Sequence, residues 1–188
     1  EYAQSKPGAI SFCSTGVNGL NHLQLEMFKR VVKEKTGKDF VVTHVPYNGL
    51  APALVGLQSQ SVQACTLPYT ALVKKLDGKD LRILAVQRAE RLRSLPNVPT
   101  TGEQGYPEMD GNDAFVNVDA PKGTPQPVIS KLEGALQQAL QDPGVRKKLK
   151  DLDVQAVFMN SQETQKWLET DVKKFSTVIR EAGLTTAE

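Results

Sequence analysis

From residue 9 to residue 86, short apolar runs of strand length alternate with longer stretches of helical period, and turn residues separate the two. A chain patterned this way folds as βαβα units, because parallel strands need a crossover of helix length between them. Residues 10–13 form the first expected strand. Leu20, Leu23, Met27, Phe28, Val31 and Val32 then recur at three- and four-residue spacing, predicting a helix that ends near Gly37 as its C′ glycine. Residues 40–45 are β-branched and apolar, the second strand. Pro52 marks the first turn of a helix carrying Leu54, Val55 and Leu57. Residues 62–66 are a third short strand. A helix over 69–76, closed by Asp77 and Gly78, leads to a nearly continuous apolar run over 81–86, a fourth strand suited to burial on both faces. Four strands with helical crossovers predict an α/β fold with a doubly wound, mainly parallel sheet.

After Val86 the pattern breaks. Pro96, Pro99, Gly102, Gly105, Pro107 and Gly111 interrupt every regular spacing and predict a connector laid over the surface. Residues 114–118 read as another strand. A helix follows with Val128, Leu132, Leu136 and Leu140 on one face, then a short basic helix from Asp142-Pro143 through Lys150. Residues 154–158 read as a strand, and Ser161-Gln-Glu-Thr164 precedes a last helix over about 162–182 that buries Trp167, Leu168, Val172, Phe175 and Ile179. There is no internal repeat and no low-complexity segment.

The 188 residues are 39% hydrophobic, enough for a core without covalent staples. A net charge of +2 gives no footprint for nucleic acid or for an anionic membrane. No run of about eighteen apolar residues is present for a transmembrane helix, and residues 1–9 lack the layout of a secretion signal, so the chain is read as cytosolic or as a chain whose signal has been removed. Cys13 and Cys65 have neither a disulfide framework nor C-x-x-C spacing, and with His22 and His44 they offer no metal motif. Two buried thiols are expected. No metal and no cofactor is called for.

In an open parallel sheet, ligands bind beyond the carboxyl ends of the strands. The loop after the first strand, Ser14-Thr15-Gly16-Val17-Asn18-Gly19-Leu20-Asn21, supplies hydroxyls, amides and two glycines directly ahead of a helix. Small residues admit a ligand to the backbone, and helix N–H groups favour an anion such as a carboxylate or phosphate. G-x-G-x-x-G is absent, and no lysine follows Gly19, so the nucleotide-binding loops are excluded. The alternative for this loop is a plain helix cap. The second loop, Pro46-Tyr47-Asn48-Gly49, and the third, Thr66-Leu67-Pro68-Tyr69, set aromatic rings beside amide and hydroxyl groups. None of the three contains a charged side chain. Such a site holds an acid by neutral donors and bridging water, which suits reversible capture rather than bond cleavage.

The run from His44 to Leu54, H-V-P-Y-N-G-L-A-P-A-L, resembles the H-V-P-Y-K-G-x-x-P-A-L signature of the periplasmic receptors of tripartite tricarboxylate transporters, the Bug family. Residues 14–23 are similar to that family's S-S-G-x-G-S-S-S-H-L loop, residues 81–99 to its L-R-A-L-A-V…L-P-x-V-P segment, and residues 120–125 to its A-P-x-G-T-P return. The resemblance implies a non-catalytic, two-lobed venus-flytrap receptor that captures a small carboxylate in the periplasm and presents it to membrane permease subunits. It implies that residues 9–112 form one complete lobe, that residues 113–188 are a hinge strand and the returning part of the other, and that residues 1–8 end a preceding helix or linker. The family's chain begins about a hundred residues earlier, so this chain resembles a fragment of it. His22 matches the family's S-H-L histidine and joins the site on that ground, while a histidine packed against its own loop is the reading its residue type favours. Asn48 stands where the family has lysine or arginine, and Phe115 stands near its tryptophan. Both imply a less hydrated, less anionic ligand. Two other readings compete: a cytosolic α/β enzyme using Cys13 or the Ser14 and Thr15 hydroxyls, and an effector-binding module of a transcriptional regulator.

Overall fold

The computed structural model describes residues 2–72, 81–112 and 115–184. Their contacts divide them into two units, one drawn from residues 1–114 and 175–188, the other from 115–174.

The first unit is built on a three-stranded parallel sheet. A short helix α1 (Tyr2–Ser5) precedes β1 (Ser11–Ser14), and α2 (Leu20–Thr36), β2 (Thr43–Pro46), α3 (Leu50–Gln58), β3 (Ala64–Cys65) and α4 (Tyr69–Leu72) follow. The strand order is β2-β1-β3, so the chain steps from β1 to one side and then crosses over it to the other. Ser11, Phe12, Cys13 and Ser14 pair with Thr43, His44, Val45 and Pro46, and Cys13 also pairs with Cys65. Successive side chains on β1 point to opposite faces. On one face Ile10 and Phe12 meet Ala3, Leu25, Phe40 and Val42; on the other Cys13, Val45 and Cys65 meet Ala53, Leu57 and Val62. Helix α2 therefore covers the Phe12 face and α3 the Cys13 face.

The helix periodicity over 20–36 and its glycine stop are as expected: Gly37 has φ 68°, and its N–H donates to the Lys33 carbonyl. The expected fourth strand over 81–86 is not one. Among the described residues its ladder contact is an isolated parallel bridge between Val86 and Thr100, with Val86 N–H donating to Pro99 O and Thr101 N–H to Val86 O. Leu84 is 68% exposed. An apolar run states that a segment seeks cover; it does not name the neighbour, and here the chain turns back on residues 99–101 instead. The helix expected over 69–76 is helical through Leu72, and its remainder lies outside the described residues.

The segment from 87 to 112 is more than a surface connector. A 3-10 turn at Pro107–Met109 drives Met109, fully buried, against Met27, Val31 and Val178, with Phe28 and Tyr106 around them. Asn112, also buried, donates from Nδ2 to the Met109 carbonyl. Asp110 accepts from Thr101 Oγ1 and from the Gly102 N–H, and Arg91 grips Glu103 through Nε at 2.8 Å.

The second unit contains α5 (Gln126–Gln141), α6 (Pro143–Asp151) and the first part of α7 (Ser161–Glu181). Proline at the first helical position and an Asp142 carboxylate accepting from Val145 N–H start α6. At α7 the cap is reciprocal: Asn160 Oδ1 accepts from Glu163 N–H, and Glu163 Oε2 accepts from Asn160 N–H. Two expected strands are absent here. Residues 115–118 and 154–158 have no ladder partner among the described residues, and Val116 is 99% exposed. The apolar stripe of α5 is also left half open, since none of its residues is buried. In α7, Val172 is exposed, contrary to the periodicity, while Val178, on the part of the helix that belongs to the first unit, is buried with Met27, Val31 and Met109 of that same unit.

Candidate ligand-binding site

The loops after β1 and β2 meet at the carboxyl edge of the sheet, as the in-register pairing requires. Tyr47 N–H donates to the Ser14 carbonyl at 3.0 Å, and Gly49 N–H donates to the Thr15 carbonyl at 3.0 Å. The two segments are thus one backbone unit. Each leads directly into a helix whose N-cap is a glycine: Gly19 for α2 and Gly49 for α3. Neither start has a side-chain cap or an acidic residue in its first turn. The first-turn N–H groups of a helix have no intrahelical acceptor, and together with the helix dipole they favour an anion. Gly49 has φ 104°, a conformation that side chains rarely adopt, so its glycine is required by the turn itself.

Within the first loop, the expected site residues divide by exposure. Ser14 is fully buried; its hydroxyl contacts the Gly16 carbonyl at 2.9 Å and His44 Nε2 at 2.8 Å. Thr15 Oγ1 donates to Asn21 Oδ1 at 2.7 Å, and Asn21 is buried. Gly16 and Gly19 are half-buried, whereas Asn18 is exposed and held with φ 60°. His22 is 5% exposed and accepts the Asn18 N–H on Nδ1 at 3.1 Å. It lies against its own loop, stacked on His44 at 4.0 Å with the rings 9° apart. Burial is the main force holding both imidazoles below their ordinary pKa, and the His22 ring adds to the lowering of His44.

In the second loop, Asn48 is exposed, while the Tyr47 ring packs into the core of the Cys13 face. A side-chain carbon added at Gly56 would lie 2.2 Å from the Tyr47 hydroxyl, so that glycine makes the room the ring occupies. Thr66 is half-buried beyond β3, and Tyr69 hydrogen-bonds Ser94 through its hydroxyl at 2.7 Å. Phe115 belongs to the second unit, edge-on to Trp167 at 4.4 Å. The structure therefore brings Ser14 through His22 and Tyr47 through Gly49 together. Two contributors are not among the site residues expected from the sequence: His44 and Gly56. Register alone reveals His44, which shares the Ser14 face of the sheet, 30 residues away.

Cys13 and Cys65 are free thiols side by side in register, and Cys13 is fully buried. Cys65 donates to the Cys13 carbonyl at 2.9 Å, and the neighbouring sulfur and burial push its thiol far up. This is the environment of an inert packing cysteine. Among the described residues no cluster of His, Cys, Asp or Glu is placed to hold a metal, and no helix is long and apolar enough to cross a membrane.

Residues 1–184 match the tripartite tricarboxylate transporter family receptor, TctC. The chain belongs to that family. It is a family of solute-binding proteins and not of enzymes. Among curated relatives, Protein BugT of Bordetella pertussis is 29% identical over 180 residues, which are 96% of this chain and 53% of BugT. A protein encoded in the gbd 5′ region of Cupriavidus necator is 32% identical over 190 residues, 100% of this chain and 54% of the relative. The chain thus spans about half the length of the curated relatives it matches. Of the solved structures, an R. palustris protein with adipate superposes with a TM-score of 0.79 at 28% identity, covering 97% of this chain and 58% of that one. The periplasmic binding protein BugD superposes with a TM-score of 0.70 at 27% identity, covering 99% and 60%. The α/β chain with its three-stranded parallel sheet thus matches part of the fold of these solved structures.

Proposed function

We propose that this TctC-family chain is part of a periplasmic receptor that captures a small carboxylate and delivers it to the membrane permease of a tripartite tricarboxylate-type transporter. The observation that carries the reading is the pair of glycine-capped helix starts, at Gly19 and Gly49, locked side by side by backbone hydrogen bonds and free of acidic first turns. Two sets of N–H donors on adjacent strands suit a carboxylate, and no charged side chain stands in either loop to make release slow. Adipate in the R. palustris relative supports a carboxylate of that size as the ligand class.

On this reading Thr15, Gly16, Asn18, Gly19, Asn48 and Gly49 face the ligand, while Ser14, Asn21, His22 and Tyr47 hold the loops that do. Thr66 and Tyr69 extend the site beyond β3. The architecture is a two-lobed venus flytrap, with residues 9–112 as one lobe and residues 113–188 as hinge and returning segment of the other. Asn48 in place of a cation favours a ligand of lower charge.

The test is thermal unfolding of the purified protein against a panel of mono-, di- and aromatic carboxylates, adipate included. A ligand at about one hundred times its Kd stabilises the folded state by about 2.7 kcal/mol. At least one acid is expected to raise Tm by several degrees and to be recovered unchanged. Should every acid leave the midpoint where it was, or should one be converted to product, the receptor reading is overturned.

A further inference from the structure

We infer that the stacked His22–His44 pair is a proton-sensitive positioning element, holding the Ser14–Asn18 loop in its ligand-taking shape only while the His22 ring is neutral. The inference rests on the reading that this loop takes the ligand. Its warrant is a chain of contacts through the two rings. The Asn18 N–H donates to His22 Nδ1 at 3.1 Å, so that nitrogen must present a lone pair, and the His22 proton sits on Nε2. His44 Nε2 meets the Ser14 hydroxyl at 2.8 Å, and that hydroxyl also contacts the Gly16 carbonyl and, at 3.3 Å, the Gly16 N–H. One ring therefore fixes the loop at Asn18 and the other fixes it at Ser14 and Gly16.

Protonation of His22 turns Nδ1 into a donor facing a donor. The Asn18 anchor is lost and replaced by N–H against N–H repulsion. It also sets a cation 4.0 Å above the His44 ring in a nearly parallel stack, so the two rings cannot both carry charge. The charged groups facing the pair come from α2. Glu26 lies 3.7 Å from His22 Nε2 and favours its cation, but Lys29 grips the same carboxylate oxygen at 2.7 Å and offsets it. From β1 the pair meets the Ser14 hydroxyl, and from β2 His44 itself. Burial of both rings adds to the penalty on charge. Acid thus acts by opening the loop, and a ring released to the ordinary imidazole pKa of about 6.5 carries a factor of about ten at pH 5.5.

The experiment follows the 15N signals of the Asn18 amide and the His22 ring in the ligand-free protein from pH 7.5 to 5.0. The Asn18 amide is expected to shift with the midpoint of the His22 ring, below 6.5, and to stay fixed in His22→Gln, whose side-chain oxygen accepts at every pH. An Asn18 amide that is indifferent to the His22 titration, or a His22 already cationic at pH 7, overturns the inference. Adipate binding by calorimetry gives the second readout. Between pH 7.5 and 5.5 the wild-type Kd is expected to rise about tenfold more than that of His22→Gln, which shares the ligand's own titration. Parallel rises in both proteins overturn the inference. If adipate binds at no pH, the receptor reading loses its support from adipate, while the amide titration still decides the histidine pair.

Discussion

His22 and His44 are held by the loop they adjoin and by each other: one ring accepts from the Asn18 N–H, the other meets the Ser14 hydroxyl, and the two stack. Because burial holds both folded-state pKa values below the ordinary range, the unfolded chain takes up protons first as the pH falls. The stabilisation from keeping the rings neutral is therefore complete above about pH 7 and declines as the pH drops through 6.5 toward the lowered folded values. A series of thermal midpoints from pH 7.5 to 5.0 is expected to slope downward, and replacing both histidines by glutamine is expected to flatten that part of the slope. The stacking of the two rings could not be read from residue type. The loop chemistry around Ser14, Asn18 and Gly49 could be, because glycine and amide residues at a strand end carry a local meaning, whereas Tyr47 needs Gly56, on the next helix, to reveal that its ring faces inward.

At the level of elements, helices were more legible than strands. The apolar period over 20–36 with its glycine stop and the proline-led start at Pro143 each state their own boundaries, since capping and periodicity are local. The strands expected at 81–86, 114–118 and 154–158 are not realised among the described residues, because a ladder needs a partner and a one-strand pattern says nothing of where the partner lies. Helix α7 starts at Ser161, one residue before the expected 162, and Asn160 and Glu163 make its reciprocal cap. Asn160→Ala is expected to cost about 1 kcal/mol and to lower the urea midpoint with an unchanged m-value. Asn160→Ser is expected to restore most of the loss.

Across the first unit, one side chain from the irregular segment does the work of an element. Met109 fills the space between α2 and the end of α7 by meeting Met27, Val31 and Val178, with Tyr106 and Phe28 at its border. Glycines and prolines hid this from the sequence, which reads such a stretch as connector. Met109→Ala opens a cavity in a fully buried site and is expected to cost about 2–5 kcal/mol by urea unfolding. A loss below about 1 kcal/mol would mean that the segment only lies over the surface.

Glycine at both helix starts, Gly19 and Gly49, has a heritable consequence. The acid-gripping donors proposed there belong to the peptide chain itself, so codon changes at Asn18 or Asn48 alter which molecule fits while leaving the carboxylate anchor in place. Selectivity and capture are then free to evolve separately.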